Sequence, residues 1–220
     1  MCGRFNLHAN PRAVASLFGL PTVPELAPRY NVAPSQPVAV VGLKPGGSAR
    51  GLALMRWGLV PRWAKSDEGP RPINARCESL MDRPTFRDNF RQRRCLIPAS
   101  GFYEWAKKGG RKQPYHVRRP DGLPLAFAGL WDRWEGPGGP LLTCAIITTA
   151  ANELVKPLHD RMPAIIRPED FARWLDPSAH PDERLPLLRP CPADVLEAVP
   201  VGAAVNNPRN DGPECLGPAA

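Results

Sequence analysis

Cysteine at position 2, behind the initiator and ahead of Gly3-Arg4, offers chemistry that no interior residue can. Removal of Met1, usual when a small residue follows the initiator, would leave Cys2 carrying a free α-amine beside its thiol. The amine titrates near ~7.7–8.0, so about a tenth of it is neutral and nucleophilic at pH 7, against well under ~0.1% of a lysine amine. The thiol, with a pKa of about 8.5, is a second nucleophile two carbons away. Such an aminothiol can condense with an aldehyde to an imine, which the sulfur closes into a thiazolidine. It suits N-terminal acyl transfer equally well, with the amine as base. Residue 2 alone leaves both readings open.

Either chemistry needs a proton donor or acceptor. In Gly101-Phe102-Tyr103-Glu104-Trp105-Ala106, strand alternation puts Phe102, Glu104 and Ala106 on one face and Tyr103 and Trp105 on the other. Burial among apolar neighbours would raise the Glu104 pKa toward the range of a general acid. Ion pairing with one of the many arginines is the competing reading. His159, in a loop bracketed by Pro157 and Pro163, is a second candidate because imidazole titrates near neutrality. His8, His116 and His180 have no comparable neighbours. Trp57 and Trp63, each beside an arginine, lie just ahead of a polar loop running from Lys65 to Pro72. Either could stack on a base or anchor the core; the core reading is the stronger one for Trp57, and Trp63 is the better candidate for a surface role.

Around these candidates, 220 residues suffice for one well-buried core, and one domain spanning 1–220 is expected. The 29 prolines and 19 glycines call for short elements and irregular loops. A net charge of +8, carried by 23 arginines and 6 lysines, suits a polyanionic partner, although arginine usage of this kind also follows genome composition. The six cysteines show no C-x-x-C spacing and no metal pattern, so neither metal nor cofactor is expected. With no secretory h-region and no membrane-length apolar run, the expectation is a reduced, soluble, cytoplasmic protein.

The elements follow from punctuation and period. Asn10-Pro11 caps a short helix that Gly19 ends. Val38–Leu43 and Leu52–Leu59 form a hairpin about Pro45-Gly46-Gly47. Pro84–Arg94 is a short amphipathic helix on Phe86 and Phe90, and Arg87, Arg91, Arg93 and Arg94 form either a phosphate rail or a solvated face. From Cys95 the period becomes two: Cys95–Pro98, Gly101–Ala106, Gln113–Arg118, Leu125–Trp131 and Leu141–Thr148 are strands separated by Gly-rich turns. Ala150–Lys156 reads as a short helix, Ile165-Ile166 as a last short strand, and Pro168–Leu175 as a Pro-opened helix. The expected class is α+β: mainly an antiparallel β meander rolled toward a barrel, with short peripheral helices.

Taken in order, Met1-Cys2-Gly3-Arg4-Phe5, Arg29–Pro34, Arg56–Pro61, Ile73-Asn74-Ala75-Arg76, Cys95–Pro98 with Gly101–Trp105, His159–Pro163 and the tail Val205–Glu214 resemble the SOS response-associated peptidase family, also called abasic-site processing proteins. The resemblance spans nearly the whole chain. It implies that Cys2, once N-terminal, bonds the opened sugar of an abasic site in single-stranded DNA. Asn74, Glu104 and His159 match its active-site partners, and Arg4, Arg76, Thr148 and Arg161 match phosphate-side contacts. Pro34, Trp63 and Trp105 match positions that shape the DNA path. Peptidase chemistry, at minimum self-removal of Met1, is implied by the family's name. Two rival readings are an N-terminal cysteine amidohydrolase and a non-catalytic single-stranded DNA binder. For the tail, residue chemistry alone assigns no role.

Overall fold

A computed structural model of the chain describes residues 2–69 and 71–219. Met1, whose removal the aminothiol chemistry requires, and Pro70 of the polar loop lie outside the described residues. Among the described residues twelve strands carry the architecture: β1 (Phe5–Leu7), β2 (Arg29–Val32), β3 (Pro37–Leu43), β4 (Arg50–Trp57), β5 (Asn74–Arg76) and β6 (Arg94–Ala99) come first. They are followed by β7 (Gly101–Lys108), β8 (Arg111–Arg118), β9 (Leu125–Gly136), β10 (Gly139–Ala150), β11 (Arg161–Pro163) and β12 (Glu197–Pro200). The ring β10–β4–β3–β6–β9 returns to β10, so five strands close into a barrel. A separate five-stranded sheet runs β12-β8-β7-β1-β2.

The α+β class and the barrel agree with expectation, but the strands do not follow one another as a plain meander. Adjacent in sequence, β6 and β7 part into different sheets at Ser100. There the backbone N–H of Ser100 donates to Asn6 O at 2.8 Å, while its hydroxyl accepts from the N–H groups of His8 and Ala9, both at 2.9 Å. These bonds satisfy the backbone at the corner, so the chain leaves the barrel without stranding buried polar groups. Closure also uses parallel pairing of β10 with β4 and β5, which period-two patterning cannot reveal.

Alternate residues of the barrel hairpin face two cores. Leu125, Phe127, Cys144 and Ile146 pack with Phe5, Phe102 and Val117 of the second sheet. Between them, Ala126, Ala128, Leu130, Ala145 and Ile147 pack against helices. Those helices are α1 (Pro11–Phe18), α2 (Pro84–Gln92), α3 (Phe171–Leu175) and a single turn, α4 (Pro181–Arg184). The start of α1 is capped by Asn10, whose side chain accepts from Arg12 N–H at 2.9 Å, and Gly19 ends it at φ 61°, a left-handed conformation suited to glycine. All six cysteines are free thiols, and among the described residues no helix is long and apolar enough to cross a membrane.

Three local expectations change. In place of the helix expected over 150–156, Ala150 ends β10 and residues 153–158 form turns: Lys156 N–H reaches Asn152 O at 2.9 Å, and Pro157 prevents continuation. Ile165 makes only an isolated bridge with Phe127, and the short strand forms earlier, at β11. The basic rail is broken because Arg93 and Arg94 are buried: Arg93 pairs with Asp132, and Arg94 donates to the carbonyls of Phe90, Trp174 and Asp176 at 2.8 Å each. Of the four arginines, Arg87 and Arg91 remain on the outer face.

Candidate active site

The N-terminal segment is led to β7 by register. Phe5 pairs with Phe102, and Tyr103 N–H donates to Arg4 O at 3.0 Å, so the residues ahead of β1 run alongside Glu104. From the opposite side β5, held parallel to β10, brings Asn74, whose amide Nδ2 donates to the Cys2 carbonyl at 2.9 Å. Cys2 is completely buried and packs in the core shared by the sheet and the barrel. Its thiol points its weak donor toward Arg4 O at 3.8 Å. Burial, reinforced by the charge of Glu104, drives the thiol pKa far above its usual value.

Glu104 is only 4% exposed. Burial, with a smaller push from Asp160, raises its carboxyl to about 7. The direction of that shift is the one that burial among apolar neighbours dictates for a carboxyl. His159 arrives on the loop between β10 and β11. Its Nδ1 accepts the backbone N–H of Arg161 at 2.9 Å, which places the proton of the neutral ring on Nε2. The same nitrogen lies 2.8 Å from Asp160 Oδ1, a contact that becomes an ion pair only if the ring is protonated. Burial lowers the imidazole pKa and keeps it neutral.

Glu104 and His159 open into a cavity of about 810 Å³, completed by Trp105, Lys107, Lys112, Pro157, Leu158 and Asn206. A smaller cavity of about 220 Å³, walled by Leu17, Leu125, Ile166 and Phe171 among others, holds none of the candidates. At neutral pH the site thus presents a buried carboxyl that exchanges its proton readily and a partly exposed neutral imidazole on one cavity, with a buried, protonated thiol whose charge state Glu104 influences. That set can deliver a proton to a leaving oxygen and accept one back, as aldehyde capture and acyl transfer both require.

The sequence profile described as SOS response associated peptidase (SRAP) matches residues 1–208. This chain belongs to the SRAP family. Its SRAP relatives include abasic site processing protein YoqW of Bacillus subtilis, 42% identical over 223 residues covering 98% of this chain and 99% of that one. Abasic site processing protein HMCES of Gallus gallus is 37% identical over 224 residues, covering 87% of this chain and 66% of the longer relative. A solved structure from Bacteroides thetaiotaomicron superposes with a TM-score of 0.87 at 27% identity, covering 100% of both chains.

The residues expected from the sequence to face phosphates fall in two places. Arg76, Thr148 and Arg161 cluster at the ends of β5, β10 and β11, where Thr148 stands opposite Arg76 and Ala150 opposite Arg161. Arg76 is exposed, whereas Arg161 is engaged by both oxygens of Glu78 at 2.6 and 2.9 Å and by Thr148 O at 2.6 Å. That pairing holds the Glu78 carboxyl down at about 2. Thr148 itself is fully buried. Arg4 lies apart from them, its Nη1 donating to Asn31 Oδ1 at 2.7 Å and to Val205 O at 2.9 Å. Trp105 lines the large cavity; exposed Pro34 and Trp63, the latter 63% accessible, do not. Trp57 is a core anchor, its indole N–H donating to Ile73 O at 2.8 Å. Sequence reasoning missed Lys107, Lys112 and Asn206. The two lysines face each other across the β7–β8 hairpin, a pairing that the Gly109-Gly110 turn could have suggested.

Proposed function

We propose that this protein processes abasic sites in single-stranded DNA by bonding the lesion covalently through Cys2 once Met1 has been removed. One observation carries the reading: an almost fully buried glutamate with a carboxyl near pKa 7, set beside a buried cysteine two residues into the chain. An abasic deoxyribose is mostly a closed hemiacetal, so its aldehyde must be released before an amine can add. Protonated Glu104 gives its proton to the ring oxygen as the bond from that oxygen to C1′ breaks; the C1′ hydroxyl proton leaves to solvent, the aldehyde forms, and the Nε2–H of His159 donates to the freed sugar hydroxyl. The α-amine of Cys2 then adds to C1′. Glu104, reprotonated, assists loss of the hydroxyl as water, which yields the imine. Sulfur closes on the same carbon, its proton passing to nitrogen, and the thiazolidine results with one water released overall. Asn74 orients the cysteine through its carbonyl, and Lys107 and Lys112 on the cavity wall, with Arg76 exposed at the end of β5, support binding of a phosphate backbone.

Intact-mass analysis of Met1-free protein incubated with a single-stranded abasic oligonucleotide tests the reading. The expected result is a stable gain of the oligonucleotide mass less one water. Glutamine hydrolysis without a mass gain would instead favour the amidohydrolase, and binding without either would favour a passive single-strand binder. Replacing Cys2 by alanine keeps the amine, so a borohydride-trappable imine should persist while the stable adduct disappears.

A further inference from the structure

Residues 203–215 take no part in the chemistry above, yet one of them, Asn206, lines its cavity. The turn Ala203–Asn206 presents Asn206, whose Oδ1 accepts the indole N–H of Trp105 at 2.7 Å. Trp105 follows Glu104 in β7, and both Trp105 and Asn206 line the same cavity as Glu104 and His159. An indole on a strand has two rotatable side-chain bonds, and its N–H is the one polar handle by which its orientation can be fixed.

The turn that supplies this handle is itself pinned from the start of the chain. Arg4 and Asn31 both donate to Val205 O, at 2.9 and 3.2 Å, and the Asn31 amide also reaches the carbonyls of Asn207 and Asn210 at 3.0 and 2.8 Å. Asp211 accepts the backbone N–H groups of Tyr30 and Asn31 at 2.7 and 2.8 Å and pairs with Arg29. Val205 is fully buried, packed with Tyr103 and Cys215. Bonds spread along the segment make it a rigid part of the sheet rather than a loose tail.

We propose that Asn206 is a positioning residue for the lesion cavity: it locks the Trp105 indole, and the clamp of Arg4, Asn31 and Asp211 on the segment sets Asn206 in turn. This rests on the proposed function for what the cavity receives. A locked indole offers a flat apolar wall against which a sugar or a flanking base can settle without first paying the entropy of ordering that wall. Asn206 is exposed, so its replacement leaves the fold intact.

The test is a double-mutant cycle on Met1-free protein with Asn206→Ala, Trp105→Phe and the pair, using a single-stranded abasic oligonucleotide. Loss of one neutral hydrogen bond predicts that Asn206→Ala raises the half-saturating oligonucleotide concentration about fivefold with the limiting rate nearly unchanged. In the Trp105→Phe background, which has no indole N–H, the same change should add nothing. In the protein without DNA, Asn206→Ala and Asp211→Ala should both shift the Trp105 indole proton resonance and speed its exchange with solvent. An equal effect of Asn206→Ala with and without the indole would overturn the inference, as would an unmoved indole resonance. Should wild-type protein form no adduct, the proposed function fails while the indole resonance still decides the role of Asn206.

Discussion

Replacing Glu104 by glutamine separates the catalytic from the structural consequences of burying a carboxyl. Folding raises this group from 4.5 to about 7, a shift of about 2.5 units, and each unit corresponds to about 1.36 kcal/mol. Because the folded protein holds the proton to higher pH than the unfolded chain does, stability falls as pH rises from about 4.5 to 7. The deficit is complete above that window and absent below it. Glutamine never ionises, so the variant should gain up to about 3 kcal/mol at pH 8 and nothing from this source at pH 4. In a chain of this length that gain moves Tm by on the order of 10 °C. Over the same comparison the rate of adduct formation should drop by about 10²–10⁴, the usual worth of a positioned acid. Paired melting curves at the two pH values, with quenched time courses of adduct formation by intact mass, measure both. A Tm gain that is the same at pH 4 and pH 8, or an adduct formed at the wild-type rate, would show that Glu104 is not a desolvated acid.

Burial also lowers His116 to about 3, so between about 6.5 and 3 the unfolded chain binds the extra proton and stability should fall by about 1.4 kcal/mol per unit of acidification. This opposes the Glu104 trend in the interval they share; His116→Gln should flatten the acid slope in urea unfolding, and an unchanged slope would refute the assignment. A methyl group added at Gly101 would sit 2.2 Å from His116 Nε2 and 2.6 Å from Val117 O, so Gly101→Ala should lower stability by about 1–3 kcal/mol, read as a reduced urea midpoint. Changing Lys107 or Lys112 to glutamate should weaken single-strand binding and reduce the magnitude of the salt slope by about 0.7 for each phosphate no longer neutralised. Slopes matching wild type would remove the hairpin from the DNA path.

What could be read from the chain was whatever lies close in sequence. Asn10, Pro11 and Gly19 delimit α1, glycine turns delimit the β7–β8 and β9–β10 hairpins, and alternation placed Glu104 on an apolar face; all of these act over a few residues. The barrel's closure depends on β10 running parallel to β4 and β5, pairings between segments separated by tens of residues that leave no local pattern. Arg94 looked like surface charge because a helix ending in arginines normally meets solvent, whereas here the carbonyls of Phe90, Trp174 and Asp176 surround it. Asn206 was invisible for the same reason in a stronger form, since the bond that fixes its turn joins Arg4 to Val205, 201 residues away.

The five-stranded sheet, unlike the barrel, ends in two open margins, β2 and β12, and the last stretch of chain bonds to β2 and to the residues just past β12. Asp211 takes the N–H groups of β2, while beyond β12 Gly202 N–H bonds Gly217 O at 2.9 Å and Val201 bridges Pro218. A version cut back before residue 203 would keep its barrel but expose raw strand edges able to recruit a neighbouring molecule. Its first symptom would be concentration-dependent self-association in sedimentation, appearing before any loss of secondary structure.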